Sequence, residues 1–328
     1  MSATPALAWH TDALQQRLAA LLPGLTVVVV RCIGSTNTEL LARARGAGTI
    51  ADPGPHPAGI APCLLVAEHQ TQGRGRQGKV WQSSLGDSLT FSLLLPLAPA
   101  DWSGLSLAVG LALADALDPP QPGQPLRLGI KWPNDLLLLA PPLPLPTPAG
   151  QVLQDRAPAR HPIGHKLGGI LIETVQVGAH RLAVVGVGLN LRPQLAAAPD
   201  AHAVSPPPLN WGYGALQALH PRLDAPAVLA RVAAPLLQAL LAFEHAGFAP
   251  LRQRFAARDV LLGQAVTTTL PDLPAGTADG VDDSGTLWLR VPAAAAGAAN
   301  GPGAGQRRPV RSGEVGLRLA TSPQGFPC

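Results

Sequence analysis

A glycine-rich loop carries the densest positive charge in the chain. Residues 73–78 read GRGRQG, and Lys79 follows them. Glycines let the backbone approach a ligand, and Arg74 and Arg76 could supply bidentate donors for a phosphate or a carboxylate. The run also fits the GxGxxG pattern of dinucleotide-binding turns, which requires a helix to begin at the loop. Residues 79–84, KVWQSS, have no helical period. We therefore predict an anion-binding loop without a dinucleotide fold, with a solvated turn as the alternative.

A second polar cluster interrupts an apolar part of the sequence. Residues 130–136 read IKWPNDL, which places Lys131, Asn134 and Asp135 around a proline between two apolar runs. Buried strands rarely tolerate such a cluster unless it lines a pocket. We interpret it as part of a pocket. The alternative is a hairpin tip with ordinary turn residues.

Three further segments are weaker when each is taken alone. Lys166 stands at the entrance of an apolar strand that contains Gly169, and residues 186–190, GVGLN, end a similar strand. Glycines in strands indicate close approach of a ligand or another backbone, although a glycine-kinked core strand is the common explanation. Residues 35–37, STN, are by themselves most often a helix cap.

Lysine usage supports these segments as functional. Of the 24 basic residues only three are lysines, and Lys79, Lys131 and Lys166 all fall within the segments above. In a chain that otherwise uses arginine, a retained lysine suggests a site that needs a compact point charge.

Charge and cysteine content exclude other classes. The net charge of +4 is dispersed, which favours a small anionic substrate over nucleic acid. The three cysteines form no CxxC pair and no His/Cys cluster, so we expect a reduced protein without structural zinc. With no signal peptide and no run of about 18 apolar residues, we expect a cytoplasmic protein without a membrane partner.

Hydrophobic periodicity places the segments on an α/β fold with a mixed sheet. The pattern predicts helices at residues 12–22, 36–41, 105–117, 227–243 and 251–257. It predicts strands at residues 25–32, which we read as buried, and at 63–68, 88–95, 128–132, 136–139, 167–174 and 181–191. Helices and strands do not alternate strictly, so a doubly wound sheet is not expected.

The sequence changes character near residue 259. We predict one domain over residues 1–258 and a second over 259–328. The second has strand patterns at residues 260–270, 280–281, 287–291 and 314–319, a spacing that suits a small β-barrel. Two insertions, Pro-rich at about 140–162 and Ala/Gly-rich at about 293–305, should carry no chemistry.

Taken together and in this order, the five segments resemble the biotin–protein ligase family, the enzymatic part of the biotin repressor-ligases. The resemblance covers nearly the whole chain except the two insertions, and it extends to residues 311–318, RSGEVGLR. The combination of GRGRxG and KWPND is its most specific part. It implies a fold related to class II aminoacyl-tRNA synthetases, followed by an SH3-like barrel. It also implies ATP and biotin as substrates, Mg²⁺, the intermediate biotinyl-5'-AMP, and transfer of biotin to a lysine of a biotin carboxyl carrier protein, such as that of acetyl-CoA carboxylase.

The resemblance also implies roles by position. The catalytic residues would be Arg76, Lys131, Asp135 and Lys166. Contacts to biotin or its adenylate would come from Ser35, Thr36, Asn37, Gln70, Arg74, Gly75, Arg76, Lys166 and Gly169. Contacts on the nucleotide side would come from Asn134, Asn190 and Trp211; for Trp211, core packing is an equal alternative. Asp135 is either a base for the acceptor lysine or an ion-pair partner that orients a lysine. No motif is dedicated to a metal.

The sequence departs from the repressor-ligases in one respect, and two alternative functions remain open. Only 34 residues precede Ser35, too few for the winged helix-turn-helix of the repressor-ligases, so we expect a monofunctional enzyme without DNA binding. A lipoate–protein ligase or related acyltransferase is one rival, and the two charged motifs argue against it. A biotin-binding regulatory module without turnover is the other, and the retained charged loop and Lys166 argue against it.

Overall fold

The computed structural model describes residues 7–46, 61–139, 164–193, 212–291 and 306–311, together with the backbone of residues 318–319. Both predicted insertions lie outside the described residues, and so does Trp211.

A seven-stranded mixed sheet forms the centre of the larger part of the molecule. Its strands are β1 (Thr26–Ile33), β2 (Cys63–Gln70), β3 (Ser88–Pro96), β4 (Leu128–Lys131), β5 (Asp135–Leu138), β6 (His165–Val177) and β7 (His180–Asn190). Their order across the sheet is β1-β2-β3-β7-β6-β5-β4. β1 and β2 are parallel, and the remaining neighbours are antiparallel. The prediction of a mixed sheet is confirmed.

Both faces of this sheet are covered by helices. The helices are α1 (Thr11–Ala19), α2 (Thr36–Ala44), α3 (Leu105–Leu117), α4 (Ala225–Ala246) and α5 (Arg252–Ala256). Alternate residues of β2 point to opposite faces, as the two-residue period of a strand requires. Leu64 packs in the large core with α1, α3 and α4, whereas Leu65 packs in a smaller core with Leu40 and Leu41 of α2. The sheet is therefore the middle layer of three.

α4 corrects one expectation from the sequence. It is 22 residues long, and by length and composition it could cross a membrane, whereas no such run was expected. More than half of its apolar window, 56%, is buried inside the protein. Its buried side, which includes Val228, Val232 and Leu236, joins the large core with α3. Within the described chain α4 serves as a core helix.

β1 corrects a second expectation. The apolar run at residues 25–32 was expected to be a buried strand, but β1 lies at the edge of the sheet and is mostly half-buried. It pairs with β2 alone among the described strands, and Arg31 and Cys32 are exposed. An edge position leaves one side of the strand open to solvent, which explains the lower burial.

The C-terminal part contains a second, antiparallel sheet. Its strands are β8 (Ala265–Thr267), β9 (Ala275–Val281), β10 (Leu287–Val291), β11 (Gln306–Val310) and β12 (Arg318–Leu319), in the order β11-β10-β9-β8-β12. The sheet is open over the residues that are described, so a closed barrel is not confirmed. The strand predicted at residues 260–270 shortens to β8, because residues 259–264 form turns at the junction. β11 was not predicted, since it is short and contains Pro309.

The two sheets meet close to the KWPND segment. The indole Nε1 of Trp132 donates to the carbonyl of Gly285, 3.0 Å away, in the turn before β10. A Cβ on Gly285 would lie 2.7 Å from the Cα of Gly104, so the turn packs directly against the start of α3. This contact fixes the C-terminal sheet beside residues 131–135.

Candidate active site

The segment STN at residues 35–37 begins α2 beside strands β2 and β3. Ser35 is the N-cap residue, and its hydroxyl accepts a hydrogen bond from the amide of Thr38 at 3.4 Å. The cap interpretation is therefore confirmed for Ser35. Ser35, Thr36 and Asn37 are all buried. Because Ser35 makes the cap, the side chains of Thr36 and Asn37 remain available for other contacts.

Thr36 and Asn37 belong to a chain of hydrogen bonds across the sheet. The carboxamide oxygen of Gln70 accepts from the amide and the hydroxyl of Thr36, at 2.7 and 3.0 Å. The Thr36 hydroxyl lies 2.6 Å from that of Ser92, which donates to Oδ1 of Asn37, also at 2.6 Å. Ser92 is fully buried on β3 and was not predicted as part of the site. These buried polar side chains thus form one preorganised cluster, which we call the polar floor.

Two glycines of β7 leave space for the hydrogen-bonded Asn37 side chain and for the indole ring of Trp81. A Cβ on Gly186 would lie 2.1 Å from Oδ1 of Asn37, and one on Gly188 would lie 2.4 Å from the Trp81 ring. Trp81 follows the glycine loop and was not predicted as a site residue. Its Nε1 is buried without a hydrogen-bond partner among the described residues. The motif GVGLN therefore clears space on the sheet surface, as its glycines suggested.

Three charged residues from β4, β5 and β6 meet at one place. Lys166 Nζ lies 2.7 Å from Asp135 Oδ1, and Lys131 Nζ lies 3.8 Å from Asp135 Oδ2. Asp135 stands opposite Gly169 in the β5–β6 register, and a Cβ on Gly169 would contact the Lys166 ammonium at 3.7 Å. Burial lowers the pKa of Lys131, and Lys166 adds a smaller repulsion, while Asp135 opposes both. The segments KWPND and KLGG thus form one charged centre.

The glycine loop reaches this centre through Arg76. Its guanidinium donates to Asn134 Oδ1 at 3.3 Å, and the Asn134 amide donates to the carbonyl of Ile170 at 3.0 Å. Burial lowers the pKa of Arg76, with Asp135 acting in the opposite direction. The loop is a short hairpin closed by a hydrogen bond from the Gly75 amide to the Lys79 carbonyl at 2.7 Å. It contains one 3₁₀ turn and no α-helix, so the rejection of a dinucleotide turn is confirmed.

Arg74 points away from Arg76. Its guanidinium lies 3.2 Å from Glu173 Oε1 on β6 and donates to the Thr38 hydroxyl at 3.4 Å. Its expected contact with an adenylate therefore stays a prediction.

Asn190 supports the backbone of the centre. Its amide donates to the carbonyl of Lys166 at 3.1 Å, and the side chain is buried. A contact with a nucleotide would have to compete with this bond. The nucleotide-side role of Asn190 stays a prediction, as does that of Trp211.

An open cleft of about 880 Å³ adjoins the charged centre. It lies between β6, the start of α3 and the turn at residues 284–286. Arg76, Trp132 and Ile170 line the side nearest the centre, and Trp102 and Arg181 line another part. The Arg181 guanidinium stacks over the Trp102 ring, 5.4 Å from its centroid. Neither residue was predicted, because neither lies in a motif.

Comparison with known proteins decides the family. The model of the Biotin/lipoate A/B protein ligase family matches residues 58–190. A biotin–[acetyl-CoA-carboxylase] ligase of Mycobacterium tuberculosis is 32% identical, over 80% of this chain and 82% of that protein. A protein of the same name from Paracoccus denitrificans is 35% identical, over 79% of this chain and 92% of that protein. This chain belongs to the biotin–protein ligase family.

A solved structure of a biotin–protein ligase has the same fold. The enzyme from Aquifex aeolicus, in complex with biotin and ATP, superposes with a TM-score of 0.60 at 21% identity and covers 90% of this chain and 99% of that one. The mixed α/β fold expected from the family resemblance is therefore shown.

The described residues of this biotin–protein ligase family member provide few ligands for a metal ion. No group of three or more His, Cys, Asp or Glu side chains within the described ranges could hold an ion. Asp135, the carboxylate at the charged centre, already pairs with two lysines. A Mg²⁺ ion usually keeps several waters and binds through one or two carboxylates and substrate phosphates.

Proposed function

We propose that this protein forms biotinyl-5'-AMP from biotin and ATP and transfers the biotin to a lysine of a biotin carboxyl carrier protein. The observation that carries the proposal is the charged centre formed by Lys166, Lys131 and Asp135, which Arg76 reaches through Asn134. A pocket with a neutral polar floor and a cationic end fits a ligand with a polar ring and a carboxylate tail.

The polar floor suits the ureido ring of biotin. That ring offers two N–H donors and a carbonyl, and hydroxyls and carboxamides complement both kinds of group. Ser35, Thr36 and Gln70 supply them at the floor, where Thr36 and Gln70 are already held by each other. The sulfur-containing ring and the aliphatic chain need an apolar slot, which the glycines of β7 and the Trp81 ring can provide.

The cationic end suits the activation step. The biotin carboxylate attacks the α-phosphate of ATP and pyrophosphate leaves, so two anions must approach each other. The nucleophile is already ionised and needs no general base. Arg76, Lys131 and Lys166 would position the groups and neutralise their charge. Mg²⁺ would enter with the ATP phosphates and screen their charge.

In the transfer step, we assign Asp135 the orienting role rather than that of a base. The acceptor lysine of the carrier loses a proton to solvent, and its free amine attacks the carbonyl carbon of the mixed anhydride. The amide bond forms as the acyl–phosphate bond breaks and AMP leaves. Asp135 already neutralises the ammonium groups of Lys166 and Lys131. A carboxylate engaged with two cations is suited to fixing both lysines.

The open cleft beside Arg76 would accept the nucleotide, with Asn134 at its inner edge.

Finer features of the family extend the proposal to the whole chain. The catalytic domain would cover residues 1–258 and be related to class II aminoacyl-tRNA synthetases, with an SH3-like barrel over residues 259–328. The open antiparallel sheet of β8 to β12 is consistent with such a barrel. We also propose a cytoplasmic location.

The direct experiment is carrier biotinylation. The purified protein is incubated with biotin, ATP, Mg²⁺ and a biotin carboxyl carrier domain, and the intact carrier is weighed by mass spectrometry. One biotin should be added per carrier, only when ATP is present. A carrier whose acceptor lysine is replaced by arginine is the matched control. An unmodified wild-type carrier would contradict the proposal.

A further inference from the structure

Glu173 contacts two parts of the site that lie in separate segments of the sequence. It lies on β6 and had no predicted role. One carboxylate oxygen, Oε1, is 3.2 Å from the guanidinium of Arg74 on the glycine loop. The other, Oε2, accepts a hydrogen bond from the Asn37 amide at 3.0 Å. A single side chain therefore touches both the loop and the polar floor.

The Asn37 side chain is held in one orientation, and this orients Glu173. The Asn37 amide nitrogen donates to Glu173 and to the carbonyl of Leu171, the latter at 3.2 Å. Its oxygen accepts from Ser92 at 2.6 Å. Gly186 lies between Ser92 and Leu171 in the sheet, and the absence of a side chain there lets the carboxamide rest on the strand. With Oε2 fixed by Asn37, Oε1 faces Arg74.

The glycine loop also makes contacts on two sides. Arg74 reaches Glu173, whereas Arg76 reaches Asn134 at the charged centre. Gly75 separates the two arginines, and a Cβ there would lie 3.3 Å from the carbonyl oxygen of Lys79 across the hairpin. The Arg74–Glu173 pair is partly open to water, with side chains 48% and 24% exposed. Such a pair is modest in strength and sensitive to salt, so it would bias the loop toward closure and still let it open.

We propose that Glu173 is a positioning residue that latches the glycine loop onto the polar floor through Arg74 and orders the loop before ligands bind. The catalytic meaning of the latch rests on the proposed function. The latch itself does not, because it consists of contacts within this chain.

Limited trypsin digestion tests the latch without any substrate. The loop contains trypsin sites at Arg74, Arg76 and Lys79. Cleavage is counted at Arg76 and Lys79, which every variant keeps, and Arg231 in the middle of α4 serves as the internal reference. Glu173→Gln keeps an oxygen for the Asn37 amide and removes the charge. We expect cleavage in the loop, relative to Arg231, to rise two- to fivefold at low salt, about the effect of a half-exposed ion pair. At high salt the wild type should approach the variant.

Two further variants make the result specific. Asp272→Asn removes the acidic partner of an exposed arginine, Arg308, in the C-terminal part, and it should cleave like the wild type. Arg74→Gln should raise loop cleavage as much as Glu173→Gln, and the double variant should exceed neither. The latch is overturned if Glu173→Gln cleaves like the wild type, if cleavage at Arg231 rises in parallel, or if the two single effects add.

Kinetics connect the latch to the reaction. Glu173→Gln should raise the KM for biotin two- to fivefold in ATP–pyrophosphate exchange, with kcat nearly unchanged. A change in kcat alone would overturn the positioning role. If the wild type shows no biotin-dependent exchange, the proposed function fails, while the digestion result still decides whether the latch exists.

Discussion

At the scale of single residues, Asp135 governs the charge of the site. Burial lowers the pKa of Lys131, and the nearby Lys166 lowers it further, whereas Asp135 raises it. Asp135 is held between the two ammonium groups at 2.7 and 3.8 Å. The protonated form of Lys131, which the activation step requires, therefore depends on this carboxylate.

Asp135→Asn tests that dependence. Without the carboxylate, burial and repulsion act unopposed, so the Lys131 pKa falls further. The alkaline limb of the pH profile for ATP–pyrophosphate exchange should therefore move to lower pH than in the wild type. Exchange and carrier transfer, measured separately, should both decline. Loss of transfer with an unshifted exchange profile would instead make Asp135 the base for the acceptor lysine.

Lys166→Gln tests the second cation of the centre. The change leaves Asp135 paired with Lys131 alone and removes a charge from the place where a carboxylate and a phosphate would meet. Removal of one such stabilising group typically costs about a hundredfold or more in rate. Biotin-dependent exchange should fall by that much with an unchanged melting temperature. Arg222→Gln, at an exposed arginine outside the site, is the matched control, and equal effects of the two changes would contradict the assignment.

Residue types predicted the charged centre because its members are rare in this chain or out of place in apolar surroundings. Lys131 and Lys166 stood out among arginines. Ser92 and Glu173 did not, since a serine in an apolar strand and a glutamate near a strand end are common. Trp81 was missed for a similar reason: an aromatic residue usually indicates packing. Their roles depend on neighbours across the sheet, which one sequence does not reveal.

At the scale of elements, β7 is shaped by what lies on its surface. Ser92 of β3 and Leu171 of β6 flank Gly186, and Asn37 lies over it. The strand needs a glycine at this position because a side chain would displace a carboxamide whose polar atoms are all engaged.

Gly186→Ala tests this fit. The new Cβ would lie 2.1 Å from Asn37 Oδ1, so Asn37 must move and lose its bond with Ser92. Overpacking of this kind costs about 1–3 kcal/mol. The free energy of unfolding should fall by that amount and the KM for biotin should rise. Gly110→Ala in α3 would meet its neighbours at an ordinary 3.5 Å and adds a better helix former, so it should not lower the free energy of unfolding and should leave the KM unchanged. Equal behaviour of the two variants would contradict this packing.

Most elements of the larger domain followed from periodicity. The bounds of α3 matched the predicted 105–117, and the central strands were found within a few residues. The position of β1 at the sheet edge was not predictable, because an edge strand with an apolar run resembles a core strand locally. The C-terminal strands were less well predicted, since each is short and their pairing is long-range.

At the scale of the whole molecule, the junction between the two sheets contains buried charge. Arg258 is 3% exposed and pairs with Asp115 and Asp118, at 2.8 and 3.0 Å. The next residue, Asp259, is also buried, and its Oδ1 accepts from the amide of Leu261 at 2.9 Å. Burial raises the pKa of Asp259 to about 7, partly offset by backbone hydrogen bonds. The stability of the junction should therefore depend on pH.

Asp259→Asn tests that dependence. The folded pKa lies above the unfolded value of 3.8, so the stabilisation is present below pH 4 and is lost as pH rises through about 7. Between pH 5 and pH 8 the wild type should lose about 1–4 kcal/mol of unfolding free energy that the variant does not lose. Urea denaturation at both values measures this. A parallel loss in the two proteins would mean that Asp259 ionises freely in the folded state.

The most direct test of the central claim compares biotin with lipoate in ATP–pyrophosphate exchange. Both acids carry a sulfur-containing ring on an aliphatic carboxylate, so an apolar slot alone would separate them only weakly. Lipoate has no ureido group and would leave the polar floor formed by Ser35, Thr36 and Gln70 without its ligand partners, at a cost of several kcal/mol. We predict exchange with biotin and essentially none with lipoate, and Gln70→Ala should narrow the difference by weakening biotin alone. Equal exchange with both acids would contradict the assignment and favour the acyltransferase rival.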